Sequence, residues 1–108
     1  MRLVLLQPAL KAPDDSANLE AIRRVVGGLG QRLAPDDLLL LPEHFIFTDV
    51  PRSYDEFVAE TAARTGCTVV GGSHHRKMDG RRINYGAVVR PDGTKLAEYS
   101  KIRPYFNE

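Results

Sequence analysis

A glutamate and a lysine are the residues of this chain whose types and positions could support acid–base chemistry. Glu43 follows directly after the apolar run Leu38–Leu41 and Pro42, in the stretch LLLLPEHF. Lys101 follows the last predicted strand, in KLAEYSKIRPYFNE. A glutamate held near a lysine and partly removed from water can act as a general base, and the ammonium can stabilise an oxyanion during acyl transfer. Such a pair still lacks a nucleophile.

The single cysteine, Cys67, is the first candidate for that nucleophile, but its setting argues against the role. It begins the apolar run CTVVGG, and no basic residue beside it would lower the pKa of its thiol. Free cysteine is among the most buried residue types. We therefore interpret Cys67 as a structural residue at the start of a strand.

Two further motifs could indicate a bound ligand. His74 and His75 are adjacent, and adjacent residues on a strand point to opposite faces of the sheet. Gly71 and Gly72 are typical of a phosphate-binding loop, but they precede a predicted hairpin rather than the start of a helix. We therefore predict no metal ion and no cofactor.

The elements that must position Glu43 and Lys101 follow from the apolar pattern. RLVLLQ and LLLL are short, nearly continuous apolar runs, which are typical of strands buried on both faces, and CTVVGG predicts a third strand. A helix is predicted between the first two strands, although three nearby glycines weaken it. Its apolar residues recur every three or four positions: Leu19, Ile22, Val26, Leu29 and Leu33.

The second half of the chain contains one more helix and then hairpins. Ser53 and Glu56 in S-Y-D-E predict a capping box, and Gly66 is placed to end the helix in a left-handed conformation. Two Asp-Gly turns flank INYGAVV and predict an antiparallel meander. The order is β-α-β-α-β-β-β, an α/β fold with a mixed sheet. Ligands of such sheets bind at the carboxyl ends of strands, where Glu43 lies.

Composition excludes several classes of function. The 108 residues form at most one domain, with 43% hydrophobic residues, 27% charged residues and a net charge of +1. We expect no nucleic-acid partner, because the basic residues are scattered. We expect no membrane association either, because the apolar runs fall far below the roughly 20 residues of a membrane span. The N-terminus lacks the features of a signal peptide, and one cysteine fits a cytoplasmic protein.

Five segments together resemble the N-terminal portion of the carbon–nitrogen hydrolase (nitrilase/amidase) superfamily. They are MRLVLLQPAL, DDSANLEAI, LLLLPEHF, VVGGSHHR and NYGAVVRPDGTKLAEYSKIRPY, and they span nearly all of the chain. The resemblance implies an α-β-β-α sandwich, of which residues 1–108 would be the N-terminal part, truncated before the nucleophilic cysteine. It also implies a homo-oligomer for the full-length parent. Alone, the chain would expose apolar surface and strand edges and would tend to aggregate.

The family pattern is a Glu-Lys-Cys triad. The resemblance implies that Glu43 is the general base and that Lys101 stabilises the tetrahedral intermediate. Glu108 is a candidate for a second glutamate that positions the substrate, and His44 either lines the substrate pocket or is an ordinary loop histidine. The implied parent enzyme hydrolyses a non-peptide carbon–nitrogen bond of a small amide, carbamoyl or nitrile substrate through a covalent thioester-type intermediate. The 108-residue chain would by itself be inactive.

A non-enzymatic function is the alternative. A short α/β domain could keep the scaffold as a binding or assembly module whose open sheet edge pairs with a partner chain. The reading frame beyond Glu108 distinguishes the two hypotheses. A frame that continues to a cysteine favours the enzyme, and a stop codon favours the module.

Overall fold

The computed structural model describes residues 1–101 and contains a six-stranded mixed sheet with two helices packed on one of its faces. The predicted α/β class with a mixed sheet is confirmed, and the elements follow the predicted order with one strand added. A short 3-10 helix, Gly30–Arg32, extends the first α-helix. The elements are β1 Leu3–Leu5, α1 Asp15–Leu29, β2 Leu38–Leu40, α2 Pro51–Thr65, β3 Thr68–Val70, β4 His74–Met78, β5 Arg81–Val89 and β6 Lys95–Ser100.

The sheet has one strand more than the sequence predicted. The predicted third strand stops at Val70, and residues 71–73 carry the chain to a separate strand, β4. Gly71 and Gly72 lie in this break, as is common for glycines at sharp changes of strand direction. The split matters for the site, because it brings residues 71–73 against the loop that carries Glu43.

The strands run parallel on one side of the sheet and antiparallel on the other. β1, β2 and β3 are parallel neighbours, with Leu38 opposite both Leu3 and Thr68. β5 is antiparallel to β3, β4 and β6. Tyr85 of β5 lies opposite His74 of β4 and Ser100 of β6, so β4 and β6 flank β5 on opposite sides.

The helix ends show one correction to the sequence analysis. Asp14 caps α1 by accepting a hydrogen bond from the backbone N–H of Ala17 at 3.0 Å. α2 begins at Pro51, with no side-chain cap, so the predicted Ser53 capping box is wrong and Ser53 lies inside the first turn. The C-terminal cap is confirmed, since Gly66 has φ 69°. Within residues 1–101, neither helix has the length and apolar character needed to cross a membrane.

One face of the sheet is buried against the helices and the other is open. Leu39, Val69 and Ala87 point into the core. We call the opposite side the open face; its residues are Leu3, Leu5, Leu38, Leu40, Thr68, Val70, His75, Asn84, Gly86, Val88, Ala97, Tyr99 and Lys101. The prediction that β1 is buried on both faces is wrong for the described residues, because Leu3 and Leu5 are 60% and 61% exposed.

Candidate active site

Glu43 and Lys101 meet at the edge of the sheet. The Lys101 Nζ atom lies 3.0 Å from Oε1 of Glu43. The lysine side chain is mostly covered, with 20% exposure, whereas the glutamate side chain is 56% exposed. This is the convergence that the sequence analysis expected. A paired, accessible carboxylate with a partly desolvated ammonium beside it can exchange protons and stabilise negative charge. The catalytic roles of both residues stay predictions.

The loop after β2 holds Glu43 in place from both sides. Before it, pairing continues past β2, because the backbone N–H of Leu41 donates to Val70 O at 2.9 Å. After it, Phe45 and Ile46 are buried, with 0% and 2% exposure. The Phe45 ring packs against Phe57 of α2 at 5.5 Å between centroids. Glu43 therefore sits on a short turn fixed at both ends.

The β3–β4 connection packs against this turn. The backbone N–H of His44 donates to Ser73 O at 2.9 Å. A Cβ atom on Gly72 would overlap the carbonyl oxygen of Pro42 and would lie 2.9 Å from the Glu43 backbone nitrogen. Only a residue without a side chain allows this approach. The sequence alone did not indicate this close approach of Gly72 to the Glu43 loop.

Tyr99 positions the strand end that carries Lys101. Its ring lies across Gly86, where a Cβ atom would overlap the ring. Its hydroxyl donates to Gly71 O at 2.6 Å. Burial raises the pKa of Tyr99, and the nearby charge of Glu43 raises it further. The spacing of Tyr99 from Lys101 could have indicated that it lies near the pair, because residues 99 and 101 of an extended segment share one face.

The three histidines have different surroundings. His44 has a positive φ of 53°, and its ring lies 5.3 Å from that of His75. His74 points the other way, into the core, where it stacks on Tyr54 at 4.2 Å between centroids. The predicted divergence of His74 and His75 is therefore confirmed. His44 directly follows Glu43 in the sequence, and its role in substrate binding stays a prediction.

Cys67 lies away from the pair. It immediately precedes β3, whereas Glu43 follows the carboxyl end of the parallel neighbour β2. Cys67 is 0% exposed, and its Sγ atom lies 3.2 Å from Ala34 O. Burial raises the pKa of Cys67, which disfavours the thiolate. The expectation that this cysteine is buried is confirmed.

Two other expectations concern Glu108 and a metal ion. Glu108 lies outside the described residues. Among residues 1–101, no cluster of three or more His, Cys, Asp or Glu side chains could hold a metal ion.

A shallow cavity of about 380 Å³ lies beside Glu43. The ends of β1 and β2 form it, and most of its lining is apolar: Leu5, Leu6, Gln7, Pro8, Leu40, Leu41, Pro42 and Glu43. Its position at the carboxyl ends of parallel strands is where α/β sheets bind ligands.

Comparison with known proteins identifies the family. A family model for carbon-nitrogen hydrolases matches residues 2–108. The chain belongs to the carbon-nitrogen hydrolase family. No curated protein sequence matches this carbon-nitrogen hydrolase chain significantly.

Solved structures share the fold of this carbon-nitrogen hydrolase chain at low identity. Nit3 of Saccharomyces cerevisiae, from branch 10 of the nitrilase superfamily, is 20% identical with a TM-score of 0.76, over 94% of this chain and 44% of Nit3. A double mutant of the amidase from Nesterenkonia sp. AN1, in complex with acrylamide, is 22% identical with a TM-score of 0.76, over 95% and 43%. XC1258 of Xanthomonas campestris, a CN-hydrolase superfamily protein with an arsenic adduct in its active site, is 24% identical with a TM-score of 0.72, over 97% and 41%. The chain thus spans less than half the length of these relatives.

Proposed function

We propose that residues 1–108 form the part of a carbon–nitrogen hydrolase that supplies the glutamate and the lysine of a Glu-Lys-Cys triad. The substrate is a small amide, carbamoyl compound or nitrile. The nucleophilic cysteine comes from sequence beyond residue 108, because Cys67 is buried away from the pair. The observation that carries the proposal is the 3.0 Å contact between Lys101 and Glu43 at the sheet edge.

Glu43 acts as the general base in this proposal. Its carboxylate takes the proton of the cysteine thiol, and the thiolate forms a bond to the carbonyl carbon of the amide. The carbonyl electron pair moves to oxygen, which becomes an oxyanion. The exposure of the Glu43 side chain leaves room for a thiol to reach it.

Lys101 stabilises the charge on that oxyanion. Its ammonium is already held beside the reacting centre by Glu43, so little reorganisation is needed when the negative charge develops. When the tetrahedral intermediate collapses, the carbon–nitrogen bond breaks. Ammonia leaves with the proton that Glu43 had accepted, and a thioester remains.

Glu43 serves again in the second half of the reaction. It removes a proton from water, and the resulting hydroxide adds to the thioester carbon. The carbon–sulfur bond breaks, the thiolate recovers the proton from Glu43, and the carboxylic acid is released. One carboxylate therefore handles all four proton transfers, and Lys101 stabilises both oxyanions.

The test uses the protein expressed from its complete reading frame, with ammonia release from amide, carbamoyl and nitrile substrates as the readout. We expect Glu43→Gln to lower kcat/KM about 10²–10⁴-fold, because a general base is lost while the shape is kept. We expect Lys101→Met to lower it about 10²–10³-fold. A wild-type protein without turnover on any of the three substrate classes, or a fully active Glu43→Gln variant, contradicts the proposal.

Matched controls make the same chemical changes away from the site. Glu20→Gln alters an exposed carboxylate that pairs with Arg24 at 3.7 Å on the surface of α1. Lys77→Met alters a lysine side chain that is 72% exposed and lies 3.7 Å from Asp49. Both control variants should keep wild-type turnover.

The purified chain of residues 1–108 should show no turnover, because the proposal gives it no nucleophile. Ammonia release by this chain that disappears in Cys67→Ala would show that Cys67 is the nucleophile. It would overturn the proposal that the nucleophilic cysteine lies beyond residue 108.

A binding or assembly module is the second candidate, and the open face favours it. Leu3 and Leu5 expose apolar surface on an edge strand, as a surface for a partner chain would. A stop codon after residue 108, with a stable complex between this chain and another protein, supports the module. Turnover by the complete protein supports the hydrolase.

A further inference from the structure

The side-chain amide of Asn84 is buried without a hydrogen-bond partner. The residue is 7% exposed, and neither Nδ2 nor Oδ1 is hydrogen-bonded to any other group in the described part of the chain. Buried amides are nearly always paired, because an unpaired one loses its bonds to water without compensation. An exception of this kind beside a candidate active site marks a position where a bound molecule could supply the hydrogen bonds.

The strand register places Asn84 beside the Glu43–Lys101 pair. Tyr85 of β5 lies opposite Ser100 of β6, and one step further the backbone N–H of Lys101 donates to Asn84 O at 3.0 Å. Asn84 and Lys101 are therefore directly opposite each other, and the side chains of opposite residues lie on the same face. On its other side, Asn84 is opposite His75 of β4.

Asn84 thus occupies the middle of a row of three polar side chains on the open face. The lysine at one end of the row is the residue that contacts Glu43 at 3.0 Å. The amide of Asn84 therefore lies on the same face of the sheet as the ammonium that contacts Glu43.

We propose that Asn84 is a substrate-binding residue that hydrogen-bonds an amide or carbamoyl group. This inference rests on the proposed hydrolase function. The asparagine side chain carries N–H donors and a carbonyl acceptor, so it matches a substrate group with both a carbonyl oxygen and an N–H. A nitrile offers an acceptor nitrogen but no N–H donor, and it would leave Oδ1 of Asn84 unpaired. The site therefore favours amides and carbamoyl compounds over nitriles.

The kinetic test replaces Asn84 with leucine, which has a similar volume and no hydrogen-bonding groups, in the complete protein. We expect kcat/KM for a small primary amide to fall about 10–100-fold, mainly through KM, because two neutral hydrogen bonds to the substrate are lost. For the matching nitrile we expect a fall of about tenfold or less, because one bond is lost. An unchanged KM for the amide, in a protein whose wild type hydrolyses amides, overturns this inference and leaves the proposed function standing.

A stability test separates substrate binding from a structural role. Asn18→Leu is the matched control, because that buried amide bonds Lys11 through its Oδ1 at 2.6 Å and its Nδ2 at 3.0 Å. Without substrate, we expect Asn84→Leu to raise Tm by about 2–4 °C and Asn18→Leu to lower it by at least as much. A loss of Tm in Asn84→Leu comparable to that of the control assigns Asn84 a structural role and overturns the inference. A wild-type protein that hydrolyses no substrate overturns the proposed function, and this inference with it.

Discussion

At the scale of single residues, Gly72 controls how closely the β3–β4 connection approaches the loop that carries Glu43. The methyl carbon of an alanine at this position would overlap Pro42 O, which is a backbone atom and cannot rotate away. The approach also aligns Ser73 O to accept the His44 N–H. A small backbone contact therefore helps to place the carboxylate opposite Lys101.

We predict that Gly72→Ala lowers the free energy of unfolding by about 1–3 kcal/mol, because the added methyl group forces the two backbones apart. Gly28→Ala is the control. That glycine lies within α1, no atom beyond its chain neighbours and the adjacent helix backbone lies within 4 Å of its Cβ position, and the change should stabilise the helix by up to about 1 kcal/mol. Urea unfolding of both variants measures the difference. Equal stability of Gly72→Ala and wild type would show that this approach is not constrained.

His74 is a buried histidine that the fold requires in its neutral form. Its Nε2 accepts a hydrogen bond from Nε of Arg76 at 3.1 Å, which a protonated ring could not do. Burial, reinforced by the charge of Arg76, lowers the pKa of His74 to about 4 from the ordinary value of 6.5. Asp55, which pairs with Arg76 at 2.8 Å, and His75 are the other charged or titratable groups that act on it.

We predict that His74 makes folding stability fall as the pH drops from 6.5 to 4. The unfolded chain takes up the proton first, so the stabilisation is complete above pH 6.5 and is lost progressively towards pH 4. At about 1.4 kcal/mol per pH unit, the loss reaches about 3 kcal/mol. The measurement is denaturant unfolding of wild type and His74→Gln over this pH range. Both proteins carry the same carboxylates, so the effect of carboxylate titration cancels in the comparison. Parallel pH profiles for the two would refute the assignment.

At the scale of elements, the two helices begin by different means. α1 has a side-chain cap from Asp14, whereas α2 begins with Pro51 in its first turn and no side-chain cap. Proline at the start of a helix lacks the N–H that would need a cap, and its φ is already close to helical. Ser53 and Glu56 have the capping-box spacing, but Glu56 pairs with Arg52 at 2.6 Å on the helix surface.

We predict that Asp14→Ala costs about 1 kcal/mol of stability, because the N–H of Ala17 loses its acceptor. Ser53→Ala should change stability by no more than about 0.5 kcal/mol, as expected for a surface change without a cap. Thermal unfolding followed by circular dichroism gives both values. If Ser53→Ala lost as much stability as Asp14→Ala, Ser53 would be shown to cap α2.

At the scale of the whole molecule, the two helices of residues 1–101 cover one face of the sheet, and no helix within this range covers the open face. The open face presents Leu3 and Leu5 on the edge strand β1, and Tyr99 and Leu96 lie 39% and 48% exposed on the other edge strand, β6. Exposed apolar residues on edge strands favour association with further polypeptide.

We predict that the 108-residue chain self-associates with increasing concentration, because association removes this apolar surface from water. The double variant Leu3→Ser, Leu5→Ser should associate less. Val25→Ser, Met78→Ser is the control, because it alters side chains of 37% and 44% exposure away from the open face. Sedimentation velocity over a concentration series measures the effect. A monomeric wild-type chain, or equal association of both double variants, would contradict the prediction.

The sequence by itself determined most of the elements and the C-terminal end of α2. Apolar spacing predicted α1, β2 and β3, Gly66 predicted the end of α2, and the residue after Pro42 was expected at the mouth of a strand. These features depend on neighbours a few residues apart, so local pattern is sufficient to specify them. The candidate residues Glu43 and Lys101 and the resemblance to the family could also be identified, because both depend on motifs in the sequence.

Only the tertiary structure decided which of these residues touch. Two contacts join segments that are distant in sequence: Lys101 with Glu43 at 3.0 Å, and Gly72 with Pro42. The burial of the Asn84 amide without a partner likewise arises from segments packed together in the fold. They depend on strand register and on the order in which strands lie side by side. A shift of register by one residue would turn Asn84 to the other face of the sheet, and no local pattern specifies that choice.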